Sequence, residues 1–178
     1  MSKLVPISVS DKQFDVIASK ITESYPNACV SFVEKINNSY LIECYESRKE
    51  SIIKCRGLDK VKEIQVFHGT KHNNIDSIIE NGFKVRWNET SAYGRGTYFS
   101  TRANYSKNYS NIDPNEFSYM FICNIIVGNC IKGSNDMTIN TELYDNAVDN
   151  LKRPSIYVTP YDDGCLPIYL VAFHKNAK

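Results

Sequence analysis

The sequence has no apolar run approaching the roughly 20 residues that a membrane-spanning helix requires, which leaves no candidate helical span. Its six cysteines include no Cys-x-x-Cys pair, and none stands at ligand spacing from a histidine, so a structural zinc site has no support and no metal is expected. An excess of one charge is lacking too: 21 Lys and Arg face 20 Asp and Glu, for a formal net charge of +1 and a pI near 7.6. That balance gives no electrostatic footprint for a long nucleic acid and points to a small partner. The opening Met1-Ser2-Lys3-Leu4-Val5-Pro6 has no apolar h-region behind it. The expectation is an intracellular protein, cytoplasmic or nuclear, with reduced thiols. On that reading the four Asn-x-Ser/Thr sequons, at Asn37, Asn88, Asn104 and Asn108, are set aside. Internal repeats and low-complexity segments are absent.

What is present is an ordinary globular composition, 42% apolar and 23% charged over 178 residues, enough to bury one substantial core. A single domain over residues 1–178 is expected, with residues 1–12 as a flexible tail. Phe14, Ile17, Ala18 and Ile21 keep a 3.6-residue period behind a cap at Ser10 or Asp11, which predicts a helix broken at Tyr25-Pro26-Asn27. Residues 28–36 alternate as a strand. Tyr40, Leu41, Cys44 and Tyr45 mark an amphipathic helix to about Lys54, stopped by Arg56-Gly57. Residues 62–67 read as a strand running into His68-Gly69-Thr70, followed by a short helix over 73–80 that ends at Asn81-Gly82. Residues 83–91 read as a loop, Tyr98-Phe99 as a strand, and 102–109 as a tyrosine-rich stretch with helical spacing. The most apolar run, 117–127, is a central strand, with further strands at 156–158 and 168–173. Helices early and strands late predict an α+β domain built on mainly antiparallel sheets, rather than an alternating βαβ fold.

Two glycine-interrupted segments stand out as pocket walls: Val66-Phe67-His68-Gly69-Thr70 and Tyr93-Gly94-Arg95-Gly96-Thr97-Tyr98-Phe99-Ser100, with a third wall at Pro154-Ser155-Ile156-Tyr157-Val158. Taken alone, His68 and Tyr98 read equally well as hydrogen-bonded structural residues or as site residues. To these walls the chain adds Asn81-Gly82-Phe83, Tyr105-Ser106-Lys107-Asn108-Tyr109, the run from Tyr144 to Asn150, and Leu166-Pro167-Ile168-Tyr169-Leu170. In order and spacing this series resembles the catalytic domain of the poly(ADP-ribose) polymerase family, the diphtheria-toxin-like ADP-ribosyltransferases. The resemblance covers about residues 20–175.

The resemblance implies the ADP-ribosyltransferase fold, two packed, mainly antiparallel β-sheets with a few flanking helices, and NAD as co-substrate without a metal. It puts His68 at the histidine that binds a ribose hydroxyl of NAD and Gly69 at the glycine whose main chain pairs with the nicotinamide carboxamide. A glycine suits that role, because a side chain would keep the ligand off the main chain. Thr70 completes the turn, and Asn74 is implied on the adenosine side. Tyr98 falls on the tyrosine of the family triad, Tyr109 on the aromatic that stacks over the nicotinamide, and Ser106 on the serine that bonds the carboxamide oxygen. Tyrosine faces are negative and suit a cationic pyridinium. The loop from Lys84 to Ala92 matches the family's donor loop but is short.

At the third triad position the polymerases carry a glutamate that bonds the nicotinamide ribose, stabilises an oxocarbenium-like transition state and activates an acceptor for chain growth. Here the residue is Ile156, which can do none of this. The set His68, Tyr98 and Ile156 therefore resembles the mono-ADP-ribosylating branch, in which the attacking group serves partly as its own base. The expectation is a monomeric mono-ADP-ribosyltransferase that cleaves NAD at the nicotinamide glycosidic bond and modifies a protein side chain, its own included. Two alternatives stay open: a catalytically weak or inactive module that binds NAD or ADP-ribose, and a transferase acting on a nucleic-acid end. No membrane partner and no helical regulatory domain are expected, and the chain is either a stand-alone transferase or a piece of a larger one.

Overall fold

Asp11 starts the first helix, α1 (Lys12–Ser24), by accepting the Gln13 N–H at 2.8 Å. Its Phe14, Ile17 and Ile21 are buried along one stripe, each contributing on the order of 2 kcal/mol by the area it removes from water. The computed structural model describes residues 3–87 and 92–175 of the chain. After α1 come β2 (Ala28–Ile36) and α2 (Ser39–Arg56). Asn38 joins this region to the middle of the chain: its side-chain oxygen caps α2 at Leu41 N, and its amide donates to Ile79 O at 2.8 Å. Ile79 lies in α3 (Ile75–Asn81), which is preceded by a 3-10 turn over His72–Asn74 and closed by Gly82 at φ 70°.

The remaining elements are β3 (Lys62–Gly69), β4 (Thr97–Ser100), the one-turn α4 (Ala103–Ser106), β5 (Ser118–Val127), β6 (Cys130–Lys132), β7 (Asn146–Val148), β8 (Ile156–Thr159) and β9 (Cys165–Lys175). With β1 (Leu4–Ile7) the strands run in the order β1-β2-β9-β5-β3-β4-β8-β7-β6, antiparallel throughout except for β6 beside β7. The strands form one nine-stranded sheet, and the two expected antiparallel sheets correspond to its two halves. They are joined between β3 and β4 by the single pair Phe67 and Ser100.

β5 lies between β9 and β3 and is covered on both faces, which is why its sequence is continuously apolar instead of alternating. Met120 and Ile122 pack with Phe67, Val171, Phe173 and the stripe of α1. Phe121, Cys123 and Ile125 pack on the other side with Phe83, Phe99, Val148, Tyr157 and the isoleucines of α3.

Three expectations need correction. The tail expected over residues 1–12 contains β1, which pairs with β2 from Leu4 opposite Ile36 to Ile7 opposite Val33. It is held further by Asn37 N donating to Lys3 O at 2.7 Å and by an ion pair between Lys3 and Glu80. Its four residues around Pro6 are too short to show alternation. β6 and β7, three residues each, were missed for the same reason. The last strand begins at Cys165, before the expected residue 168: the proline that would stop a central strand sits where the β5–β9 register shifts, between Ile122 opposite Tyr169 and Cys123 opposite Pro167.

Candidate active site

The site follows from the way the two half-sheets part. β3 and β4 share only the Phe67–Ser100 pair, so the main chain of His68 and Gly69 lies past the last rung, at the mouth of an opening. Gly69 is required there by packing: a Cβ at this position would lie 1.8 Å from the main-chain oxygen of Ser106. The turn of α4 therefore abuts the end of β3 directly.

His68 bridges the opening. Its Nδ1 lies 2.8 Å from the main-chain oxygen of Tyr98, and because a carbonyl can only accept, Nδ1 carries the proton. Nε2 is left with a lone pair. The ring packs against Phe83 (centroids 4.8 Å apart, 67° between planes) and Phe99 (5.4 Å, 53°). Burial among these rings pushes the histidine pKa down from 6.5 to about 4, against a smaller upward pull from the Tyr98 carbonyl. His68 is therefore a neutral imidazole at pH 7, able to accept a hydrogen bond from a hydroxyl.

Tyr98 is held by its hydroxyl, which donates to Gly94 O at 2.7 Å and accepts from Tyr93 N at 2.8 Å. These two bonds close the turn before β4, where Gly94 takes φ 109°, a left-handed conformation that side chains disfavour. Burial keeps the phenol above its ordinary pKa and thus protonated. Tyr105 and Tyr109 stand together nearby, ring centroids 5.7 Å apart and hydroxyls 3.1 Å apart, with Tyr109 46% exposed at the rim.

Alternation along β4 divides the three residues expected to form the triad. Tyr98 and Ser100 face the same side as their partners Val158 and Ile156, whereas Phe99, which touches the His68 ring, faces the other. Ile156 is buried at 5% exposure at the start of β8, one strand beyond Tyr98. On the His68 side a cavity of about 220 Å³ is lined by His68, Thr70, Asn74, Ser77, Phe83 and Lys84. Asn74 donates to the Thr70 hydroxyl at 3.1 Å across its floor. Val85 N donates to Asp162 at 2.8 Å, and Lys84 pairs with the same carboxylate at 3.4 Å, which fixes where the expected donor loop leaves the fold. Residues 88–91 of that loop lie outside the described residues.

Ser106 is buried beside Gly69, and its hydroxyl donates to Phe67 O at 3.0 Å. Three site features escaped the sequence reading. Phe83 and Phe99 set the state of His68, and Asp149 bonds the start of β8. All three lie inside the quoted motifs, yet which groups they touch follows only from the fold. No cluster of His, Cys, Asp or Glu able to hold a metal occurs among the described residues, and no helix there is long and apolar enough to cross a membrane.

The poly(ADP-ribose) polymerase catalytic domain model matches residues 13–156. The chain is 30% identical over 184 residues to protein mono-ADP-ribosyltransferase PARP14 of Homo sapiens, covering 97% of this chain and 10% of that protein. It is 29% identical over 185 residues to PARP12 of Mus musculus, covering 99% and 26%, and 24% identical over 201 residues to PARP11 of Homo sapiens, covering 97% and 59%. The chain thus spans less than two thirds of each of these relatives. With the family model extending from α1 to the start of β8, the chain belongs to the poly(ADP-ribose) polymerase catalytic domain family.

Proposed function

We propose that this chain cleaves NAD at the nicotinamide glycosidic bond and transfers one ADP-ribose to a protein side chain. The observation that carries the reading is the site as a whole: a neutral His68 tied to the Tyr98 main chain, with a buried isoleucine, Ile156, where a chain-elongating transferase needs a carboxylate. Relatives named as mono-ADP-ribosyltransferases support the same branch.

An extended dinucleotide suits an opening whose two sides differ. The adenosine half fits the cavity of Thr70 and Asn74, with His68 Nε2 accepting from a ribose hydroxyl. The nicotinamide half fits the tyrosine slot, where Tyr98 and Tyr109 present negative ring faces to the pyridinium. Gly69 has no Cβ to keep the carboxamide from its main chain, and Ser106, its proton used by Phe67, offers lone pairs to the carboxamide N–H. The C1′–N bond breaks with its electron pair leaving on nicotinamide, and the cation developing on the ribose is met by the acceptor, a carboxylate being the simplest because it needs no base. Ile156 contributes shape and exclusion of water, not charge.

The test is nicotinamide release from NAD by the purified chain and by His68→Ala and Tyr98→Ala. Release by the parent and at least about a hundredfold less by both variants is expected. A parent that binds NAD without releasing nicotinamide would instead be a binding module.

A further inference from the structure

We propose that Asp149 is a positioning residue for the nicotinamide half of the site; this rests on the proposed placement of NAD. Asp149 lies just after β7, and its carboxylate gathers three donors from the start of β8. Oδ1 accepts Ser155 N at 2.9 Å and Ile156 N at 3.0 Å, and Oδ2 accepts the Ser155 hydroxyl at 2.6 Å. The main chain adds Asp149 N donating to Ile156 O at 3.3 Å. These bonds close the segment 150–154 into a loop and set where β8 begins, hence where the Ile156 side chain sits.

The same anchor reaches the opposite wall. The Ser155 carbonyl accepts from the Ser100 hydroxyl and from Thr101 N, both at 3.0 Å, and the Ser100 oxygen accepts Arg102 N at 3.0 Å. Arg102 leads directly into α4, whose first residue donates from Ala103 N to the Ser24 hydroxyl at 2.7 Å. α4 carries Tyr105 and Ser106, and Tyr109 follows in the next turn. One carboxylate that does not line the cavity on the His68 side thus fixes two walls of the slot that receives the nicotinamide. His68, Thr70 and Asn74 are held by other bonds. Tyr157 and Val158 keep their own pairing with β4 and β7, so the body of β8 does not depend on Asp149.

This separation makes the role testable. In Asp149→Ala the affinity for nicotinamide falls about tenfold and turnover of NAD falls about ten- to a hundredfold, as small misplacements of a site do, while affinity for ADP-ribose stays within about twofold. Asp149→Asn keeps an oxygen for the Ser155 and Ile156 N–H groups and restores nicotinamide binding to within about threefold of the parent. Calorimetric titration of parent and variants with nicotinamide and with ADP-ribose, alongside their thermal midpoints, reads these outcomes. An Asp149→Asn variant as impaired as the alanine, equal loss of both affinities, or unchanged nicotinamide affinity in Asp149→Ala overturns the proposal. A parent that binds both probes but releases no nicotinamide from NAD sinks the proposed transferase activity while the Asp149 comparison still stands. A parent that binds neither probe overturns the placement of NAD and this inference with it.

Discussion

The ring of His68 donates from Nδ1 to the main-chain oxygen of Tyr98 at 2.8 Å, so the histidine is oriented by the backbone of the strand that carries its partner. That bond fixes the tautomer, and burial against Phe83 and Phe99 fixes the charge.

A pH dependence follows with an unusual sign for a histidine. The folded-state pKa of about 4 lies below the ordinary 6.5, so the unfolded chain takes up the proton first. The stability from a neutral His68 is complete above pH 6.5 and is lost as pH falls from 6.5 towards about 4, by at most about 3 kcal/mol. Urea unfolding across this range should show that limb in the parent and lose it in His68→Gln. NAD binding should show no titration of His68 between pH 5 and 8.

Gly69→Ala forces a methyl group to within 1.8 Å of the Ser106 oxygen, so β3 and α4 have to separate. Overpacking of this kind costs about 1–3 kcal/mol and should lower the thermal midpoint by about 3–10 °C, with nicotinamide affinity lost because the proposed carboxamide dock moves. A midpoint and affinity equal to the parent's would contradict the packing described here.

Tyr98→Phe keeps the ring and removes the hydroxyl that satisfies Tyr93 N and Gly94 O. A loss of about 1–3 kcal/mol is expected in chemical denaturation, with nicotinamide release reduced less than in Tyr98→Ala.

Arg56 neutralises the buried Asp145 at 3.1 Å and also donates to Glu142 O and Thr141 O. Arg56→Ala leaves that carboxylate uncompensated and should cost about 3 kcal/mol or more. Replacing both residues by apolar ones of similar size should restore part of the loss, which a double-mutant cycle in urea measures.

Where a residue's neighbours in sequence decide its conformation, the sequence was readable. Asp11 before Phe14, the Gly82 stop and the unbroken apolar run of β5 each carry a local signal that the fold obeys. β1, β6 and β7 carry none, because three or four residues cannot establish a period and their pairing is decided by partners distant in the chain. At the proposed site, His68, Gly69, Tyr98 and Ile156 stand out in the sequence as a pattern of motifs. Their physical states were not: the His68 charge depends on Phe83 and Phe99, the Ser106 proton on the Phe67 carbonyl, and the Ile156 position on Asp149. Each is a contact across strands that spacing does not encode.

The most direct measurement is mass spectrometry of the intact chain after incubation with NAD, followed by phosphodiesterase digestion of the adduct. Single ADP-ribose units that release only AMP, and no adduct in His68→Ala, are the predicted result. Release of phosphoribosyl-AMP, the signature of ADP-ribose linked to ADP-ribose, would show elongation without a carboxylate at Ile156. No adduct on the chain or on any added protein, despite NAD binding, would contradict transfer itself.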